Sequence, residues 1–299
     1  MNKPYFDTLA GMRGVAAGMV VMYHLMPLVF VSGPYAVDLF WILSGVVTDR
    51  TFKDASAGAF LGSRFWRLYP LYLLGSVIGA VAGVSLWGRA SVAELPAAVL
   101  FIPNFVHMPA YPLDPPAWTL SIEAILYVGF AFIRSTPAVV FICLFALWGV
   151  VRTHCGWSLE CFLARAFFEF NLGVLLYRCR VDRKLPGAWV LLGVLALVLA
   201  CRQCVAPILV VGVVLPALVW WGMHARPVRG SWMMTKLGAA SFPVYILHGP
   251  LIGVFMAAHA NFAWFVKIVP WLAGLLALYA GRKRVQNALA KRIGDAVVV

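Results

Sequence analysis

The feature that most constrains this chain is a succession of apolar runs, several of about 17 or more residues, separated by short polar connections. An α-helix needs about 20 such residues to cross a bilayer. Hydrophobic residues make up 63% of the 299 positions and charged residues only 12%, against about 25% charged in soluble globular chains. The pattern therefore excludes an ordinary soluble domain. It predicts an all-α, polytopic transmembrane helical bundle, one integral-membrane domain over residues 1–299.

Ten of the apolar stretches are long enough to be assigned as membrane-spanning helices. They lie at about 8–31, 36–50, 68–87, 117–134, 136–153, 159–177, 187–201, 204–222, 235–260 and 262–281. With the N-terminus inside, eighteen Lys and Arg residues fall in the inner connections and five in the outer ones. The positive-inside rule then places both termini in the cytoplasm. The net charge of +13 is thereby attributed to basic residues that orient the chain in the membrane and attract anionic lipid. No nucleic-acid partner is predicted.

The first predicted helix carries two ionisable residues on one face. Arg13 and His24 are eleven positions apart, which brings their side chains to within roughly 20° of the same direction, about 16 Å apart along the axis. The glycines on the opposite face, Gly11, Gly14 and Gly18, predict close approach of a neighbouring helix. Ionisable groups in a membrane span usually face a cavity or a partner. Two structural alternatives stay open: a snorkelling arginine, and a histidine bonded to an adjacent helix.

A second ionisable group lies inside the fourth predicted helix. Glu123 is more than one turn into the span, and Tyr127 lies four residues later on the same face. Because this helix descends while the first one ascends, Glu123 is expected at a depth similar to that of His24. An acid and a histidine at one depth can pair, which would offset the cost of burying a carboxylate.

Two arginines precede the third predicted helix. Arg64 and Arg67 are three residues apart and share a helix face. They suit either a membrane anchor on lipid phosphates or a clamp for the phosphates of a nucleotide-bearing substrate, and the pattern alone does not choose between them. The long outer segment at about 88–116 can be a substrate surface or only a connector.

Several isolated polar residues add weaker signals. Asp38 is predicted at the outer end of the second helix, where an acid can simply be solvated. A serine such as Ser44 usually bonds back to its own helix. Glu169 is predicted to pair with Arg165, one turn earlier. Two prolines are expected to kink the ninth helix, which carries a tyrosine and a histidine on one face, Tyr245 and His248.

The six cysteines do not form a metal-binding pattern, so no metal site is predicted. Cys201 and Cys204 form one C-x-x-C at a predicted outer loop, and Cys155 and Cys161 flank another. A disulfide is permissible on that side of the membrane, but spacing cannot establish one. Free, packed thiols are the favoured reading.

Five motifs, taken in order, resemble the integral-membrane acyltransferase-3 family, whose members O-acylate glycans and other acceptors. The motifs span nearly the whole chain. They are Leu9–Gly14 followed by His24, Val37–Gly45, Arg64–Pro70, the pattern Pro116-x-Trp118-x-Leu120-x-x-Glu123-x-x-x-Tyr127, and Tyr245 with His248. The chain departs from the family at three positions. Ala10 replaces a common Asp, Trp41 a usual Phe, and Ser63 a frequent Arg.

The resemblance implies an acyl-CoA donor, expected to be acetyl-CoA, and a glycan or lipid-linked sugar as acceptor. It implies a multi-pass protein of the bacterial inner membrane, surrounded by membrane lipid. His24 is then expected to be the general base, Glu123 its orienting carboxylate, and Arg13 the group that stabilises either the donor or the developing oxyanion. A covalent acyl-His intermediate is left open, as is assembly into a homo-oligomer.

The same resemblance implies roles for the remaining polar positions of the motifs. The CoA moiety is expected to contact Arg13, Arg64, Arg67 and Tyr69. Substrate contacts are expected from Asp38, Ser44, Trp118, Tyr127, Tyr245 and His248. The alternative is a transporter or flippase that uses Arg13, His24 and Glu123 as a substrate or proton path. A non-catalytic scaffold is a third reading.

Overall fold

Every element in the described part of the chain is helical. The computed structural model describes residues 7–52, 54–87, 95–100, 113–152, 159–179, 209–225 and 231–258. In chain order the elements are α1 (Asp7–Leu25), α2 (Gly33–Phe52), α3 (Ala57–Trp87), α4 (Leu95–Val99), a 3₁₀ turn (Pro115–Ala117), α5 (Trp118–Phe132), α6 (Thr136–Arg152), α7 (Leu159–Arg178), a π-helical turn (Val210–Val214), α8 (Leu215–His224) and α9 (Ser231–Ala258). The predicted all-α class is thus confirmed for these residues, and the predicted helices at 187–201 and 262–281 lie outside them.

One helix in the described ranges is long enough and apolar enough to cross a membrane, by length and composition alone. It is the α9 segment Trp232–Phe255, with a mean hydropathy of 1.4. Three shorter apolar helices accompany it: Trp118–Phe132, Thr136–Trp148 and Val210–His224. The count of ten spans and the position of the termini stay predictions.

The chain divides into two compact units. The first comprises Met1–Asp54 and Thr119–Tyr245, and the second comprises Ala55–Trp118 and Ile246–Val299. Part of the first unit's apolar core is contributed by α1, α2, α7 and α8, through buried residues such as Leu9, Ile42, Tyr177 and Val219. In soluble proteins, burial of large apolar side chains in a close-packed core is a main contribution to the attraction between helices. In a bilayer, close packing replaces the hydrophobic effect as the main attraction between helices.

Two glycines allow α2 and α7 to approach each other closely. A Cβ added to Gly45 would fall closer than 3.0 Å to the carbonyl oxygen of Phe170, and one added to Gly173 would do the same at Ile42. The two helices therefore meet backbone to backbone, as small residues permit in membrane bundles. α1 and α9 meet in a similar way, where Gly11 and Gly14 lie against Met234 and Leu237. Nothing lies within 4 Å of a Cβ built on Gly18, so two of the three predicted glycine contacts are present.

An ion pair ties together one end of the first unit. Arg178, in the last turn of α7, donates to the buried Asp49 of α2 at 2.6 Å and to Thr136 of α6 at 3.2 Å. Nearby in the chain, Arg134 donates to the Phe52 carbonyl at 3.3 Å. The partners come from the last turn of α2 and the first turn of α6. These contacts therefore hold the ends of α2, α6 and α7 next to one another.

In the second unit, α3 is a single helix that continues through Pro70. The residues that precede the predicted third span, including Arg64 and Arg67, therefore belong to the same helix as the span itself. Leu113 and Asp114 lie against two glycines of this helix, Gly75 and Gly79. α9 likewise continues as a helix through Pro243 and Pro250.

Candidate active site

Three side chains of the first unit form a compact hydrogen-bonded group around Glu123. Ser44 of α2 donates to Oε1 of Glu123 at 2.8 Å. Tyr127, one turn along α5, donates to the same oxygen at 2.5 Å, and its hydroxyl lies 2.9 Å from that of Ser44. Two donors on Oε1 stabilise the carboxylate. Among the described residues, none hydrogen-bonds to Oε2, so both donors share Oε1.

All three residues stand out in the sequence. The spacing of Glu123 and Tyr127 predicts a shared helix face, as the structure has them. A serine such as Ser44 is expected to bond back to its own helix, whereas the structure places its hydroxyl on a carboxylate 79 residues away. That difference arises because a carboxylate is a stronger acceptor than a backbone carbonyl that is already hydrogen-bonded.

His24 lies in the last turn of α1 and is exposed. Its Nδ1 lies 2.8 Å from the Val20 carbonyl oxygen. Because a carbonyl only accepts, Nδ1 carries the proton, and in the neutral ring Nε2 holds the lone pair. The ring of Tyr23 contacts the imidazole edge-on at 5.3 Å. Arg13 lies on the same helix, so the predicted spacing of Arg13 and His24 is preserved in the structure.

The expected direct pair of His24 with Glu123 is not among the contacts of the described residues. Glu123 instead bonds to Ser44 and Tyr127. Any assistance that Glu123 gives to the imidazole therefore runs through Oε2 and remains a prediction.

Asp38 is buried and paired. Nη2 of Arg165 donates to both of its carboxylate oxygens at 2.5 Å, and only 1% of the Asp38 side chain is exposed. The alternative of an acid solvated at the membrane surface is therefore wrong for Asp38. The predicted pair of Arg165 with Glu169 is confirmed, with 3.8 Å between Nε and Oε1. One guanidinium thus serves two fully buried carboxylates.

The expected substrate residue Tyr245 is held by polar and aromatic contacts. Its hydroxyl lies 2.9 Å from the Thr119 hydroxyl, and its ring meets Phe40 edge-on at 5.3 Å. Trp118 is half-buried at the start of α5. In the second unit, His248 is buried within α9.

Three of the four residues expected to contact CoA lie in α3, and they differ in exposure, whereas the fourth, Arg13, lies in α1. Arg67 is exposed, whereas only 4% of Arg64 is exposed, with its guanidinium 5.5 Å from the Phe60 ring centre. The Tyr69 hydroxyl donates to the Val99 carbonyl at 2.8 Å, and its ring stacks on Phe65 at 4.6 Å. Arg67 is thus the exposed arginine of α3, while Tyr69 joins α3 to α4.

A protein-family model described as an acyltransferase domain matches residues 6–281, nearly the whole chain. The chain belongs to the acyltransferase-3 family. This membership indicates an acyltransferase enzyme of a family whose members are generally membrane-associated.

A curated relative gives a more local match to this acyltransferase-3 chain. It is "Protein 2 in picA locus" of Rhizobium radiobacter, 37% identical over 91 residues. The match covers 27% of the chain and 48% of the relative, so the chain aligns with about half of that protein. No solved structure matches the chain.

Two partnerships in this acyltransferase-3 chain are not predicted by the sequence pattern. Arg165 was assigned to Glu169 alone, and Thr119 was not selected at all. The ion pair of Asp38 with Arg165 could have been predicted from their opposite charges, since both lie near the outer ends of their predicted helices. No group of three or more His, Cys, Asp or Glu residues that could hold a metal ion occurs within the described ranges. Cys161 is buried, while Cys155, Cys201 and Cys204 lie outside the described residues.

Proposed function

We propose that this protein transfers an acyl group, expected to be acetyl, from acyl-CoA to a hydroxyl of a glycan or lipid-linked sugar. The observation that carries the proposal is the Glu123 carboxylate held by Ser44 and Tyr127. A carboxylate anchored through one oxygen can use the other to orient a base or an acceptor hydroxyl. The family membership supports the acyl-transfer chemistry.

In the proposed reaction, Nε2 of His24 removes the proton from the acceptor hydroxyl as its oxygen attacks the thioester carbonyl. The new C–O bond forms, the C–S bond breaks, and the CoA thiolate takes the proton back from the imidazolium. The products are an ester and free CoA. A neutral imidazole suits this role because its ordinary pKa is about 6.5. Arg13 is proposed to stabilise the oxyanion of the tetrahedral intermediate.

The donor is proposed to bind from the cytoplasm through its phosphates. Arg67 is the exposed cation of α3, and a guanidinium fork suits a phosphate. Arg64 and Tyr69 are proposed to support the same region. Acceptor contacts are proposed for Asp38, Trp118, Tyr245 and His248, where Asp38 would act through its bond to Arg165.

Localisation belongs to the same proposal. The excess of basic residues in alternate connections supports a multi-pass protein of the bacterial inner membrane with both termini in the cytoplasm. The uniformly helical fold and the apolar α9 are consistent with that placement. Ten spans, surrounding membrane lipid and a glycan acceptor complete the proposed setting.

The test is transfer of labelled acetyl-CoA in membranes that contain the protein. His24→Ala and Glu123→Gln are expected to lower the rate by about 10²–10⁴-fold, the range for general acid–base catalysis. The chain offers a matched control for each variant. His224 makes the same Nδ1 bond to the carbonyl four residues earlier, at 2.9 Å, and Glu160 is an exposed glutamate of α7.

His224→Ala and Glu160→Gln are expected to retain the wild-type rate. Wild-type rates in His24→Ala and Glu123→Gln would remove the proposed roles. A transporter or flippase is the competing function, because Arg13, His24 and Glu123 are also suited to a proton path. Movement of a solute without ester formation or CoA release would favour that alternative.

A further inference from the structure

The ring of Phe170 in α7 packs against the side chain of Tyr127, one of the two donors to Glu123. The two ring centres are 6.2 Å apart, and the ring planes meet at 70°. Such an edge-to-face arrangement is a favoured geometry for an aromatic pair. Only 2% of Phe170 and 4% of Tyr127 is exposed. Because both rings lie in a close-packed interior, a shift of the Tyr127 ring requires the Phe170 ring to move with it.

The backbone of the same residue lies against the helix that carries the other donor. A Cβ added to Gly45 would collide with the carbonyl oxygen of Phe170, and Gly45 directly follows Ser44 in α2. One residue of α7 therefore supports both hydroxyl groups that donate to Oε1 of Glu123. It supports Tyr127 through its ring and Ser44 through the backbone of α2.

The Phe170 ring is also held by a second aromatic residue of α5. It meets the ring of Phe130 at 6.1 Å with the ring planes at 77°. Phe130 lies three residues after Tyr127, so the two α5 rings are neighbours on one helix face. Contact with both of them fixes where the Phe170 ring lies along α5.

Two ion pairs between α7 and α2 flank this contact. Arg165, which precedes Phe170 in α7, is paired with the buried Asp38. Arg178, which follows Phe170, is paired with the buried Asp49. Because the pairs lie on either side of Phe170, they restrain sliding of α7 along α2 and so keep its ring at the level of the Glu123 group.

We propose that Phe170 is a positioning residue for acyl transfer, which aligns the hydroxyl of Tyr127 with Oε1 of Glu123. This inference rests on the proposed function. Phe170 acts through Tyr127, whose 2.5 Å bond to the carboxylate depends on direction as well as distance. Without the ring of Phe170, the Tyr127 side chain gains room to tilt, and Glu123 loses part of its restraint.

Kinetics of Phe170→Leu and Phe170→Met test the proposal, because both variants remove the ring and keep an apolar side chain. Each is expected to lower kcat about two- to tenfold, since misalignment of a hydroxyl costs no more than loss of its hydrogen bond. The KM for acetyl-CoA is expected to stay unchanged. In a Tyr127→Phe background, the same substitutions are expected to lower kcat no further, because the hydroxyl is already absent. An equally large loss of kcat in that background would overturn the inference.

Phe168 offers a matched control on the same helix. It is also buried, at 7% exposed, and packs with Cys143 of α6. Two helical positions separate it from Phe170, so the two rings leave α7 in nearly opposite directions. Phe168→Leu is expected to lower Tm about as much as Phe170→Leu and to retain the wild-type kcat. Equal losses of kcat in these two variants would assign the effect to loosened packing of α7 in general and would refute the specific role of Phe170.

Infrared spectroscopy of the resting protein separates this inference from the proposed function. With ring-labelled tyrosine, the C–O stretch of Tyr127 is the band that disappears in Tyr127→Phe. This band is expected to shift toward that of a weakly hydrogen-bonded phenol in both Phe170 variants and to keep its position in Phe168→Leu. If the band shifts in this way but the wild type transfers no acetyl group, the proposed function fails and the alignment of Tyr127 by Phe170 stands. An unchanged band in both Phe170 variants would refute the alignment itself.

Discussion

Ser44 donates a 2.8 Å hydrogen bond to Glu123, which joins α2 to α5 inside the first unit. The bond uses the same carboxylate oxygen that accepts from Tyr127. Two donors on one oxygen fix the rotation of the carboxylate, so that the other oxygen has a defined direction. We regard this fixed carboxylate as the core of the candidate active site.

Removal of either donor is expected to loosen the carboxylate without removing it. Ser44→Ala and Tyr127→Phe are each predicted to lower kcat about tenfold, equivalent to a hydrogen bond of about 1.4 kcal/mol. Because both act on one oxygen, the double variant is predicted to lose less than the product of the two single effects. Initial rates with labelled acetyl-CoA check this. Ser241→Ala, which removes a hydroxyl bonded to the Gly238 carbonyl of its own helix, is the control and should keep its rate. If the loss of kcat in the double variant equals the product of the two single losses, Ser44 and Tyr127 do not share the role of holding Glu123.

The two acids around Arg165 are predicted to differ in their effect on stability. Asp38 takes both close bonds from Arg165, whereas Glu169 lies 3.8 Å away. Counted as ions, the three groups carry one negative charge in excess, which is costly when buried. Glu169→Gln is therefore expected to leave Tm unchanged or raise it. Asp38→Asn should lower Tm, because breaking a buried pair costs about 3–5 kcal/mol.

Thermal unfolding in detergent measures both variants. The exposed Glu160→Gln on the same helix serves as the reference. Equal destabilisation by Asp38→Asn and Glu169→Gln would show that the two acids contribute alike.

Gly45 is predicted to be sensitive to the addition of one methyl group. A Cβ there would lie closer than 3.0 Å to the Phe170 carbonyl, which is backbone and has little room to move. Gly45→Ala is expected to destabilise the protein by about 1–3 kcal/mol through overpacking. Gly18→Ala meets no atom within 4 Å and should be neutral or stabilising, since alanine is the better helix former. Comparable Tm losses in the two variants would refute the close contact of α2 with α7.

Asp114 makes stability depend on pH in a defined direction. Its pKa is raised well above the ordinary 3.8 by burial, so the folded protein holds a proton that the unfolded chain releases. The contribution of this carboxyl to the free energy of unfolding is fully present below about pH 4, and it falls as the pH rises toward the pKa of the folded state. Asp114→Asn has no such group. Its Tm advantage over the wild type is therefore predicted to grow from pH 5 to pH 8, and a constant difference would argue against the buried neutral acid.

Local periodicity was sufficient to identify the helices and the residues on their faces. Apolar runs predicted α1, α2, α5, α6 and α7 close to their observed positions. The spacing of Glu123 and Tyr127 predicted a shared face, which the hydrogen bond between them confirms. The i, i+4 spacing also predicted the pair of Arg165 and Glu169. Such relationships depend only on helix geometry, so the sequence by itself determined them.

Which helix faces meet was decided by the tertiary structure. Ser44 and Glu123 are 79 residues apart, and Asp38 and Arg165 are 127 apart. No periodicity relates such positions, because the pairing depends on how each helix is rotated and how closely it packs. Gly45 and Gly173 set that packing for α2 and α7. The sequence thus determined a helical chain with ionisable groups inside apolar segments. Only packing decided that Glu123 would bond to two hydroxyls, that Asp38 would be paired, and that Asp114 would be buried.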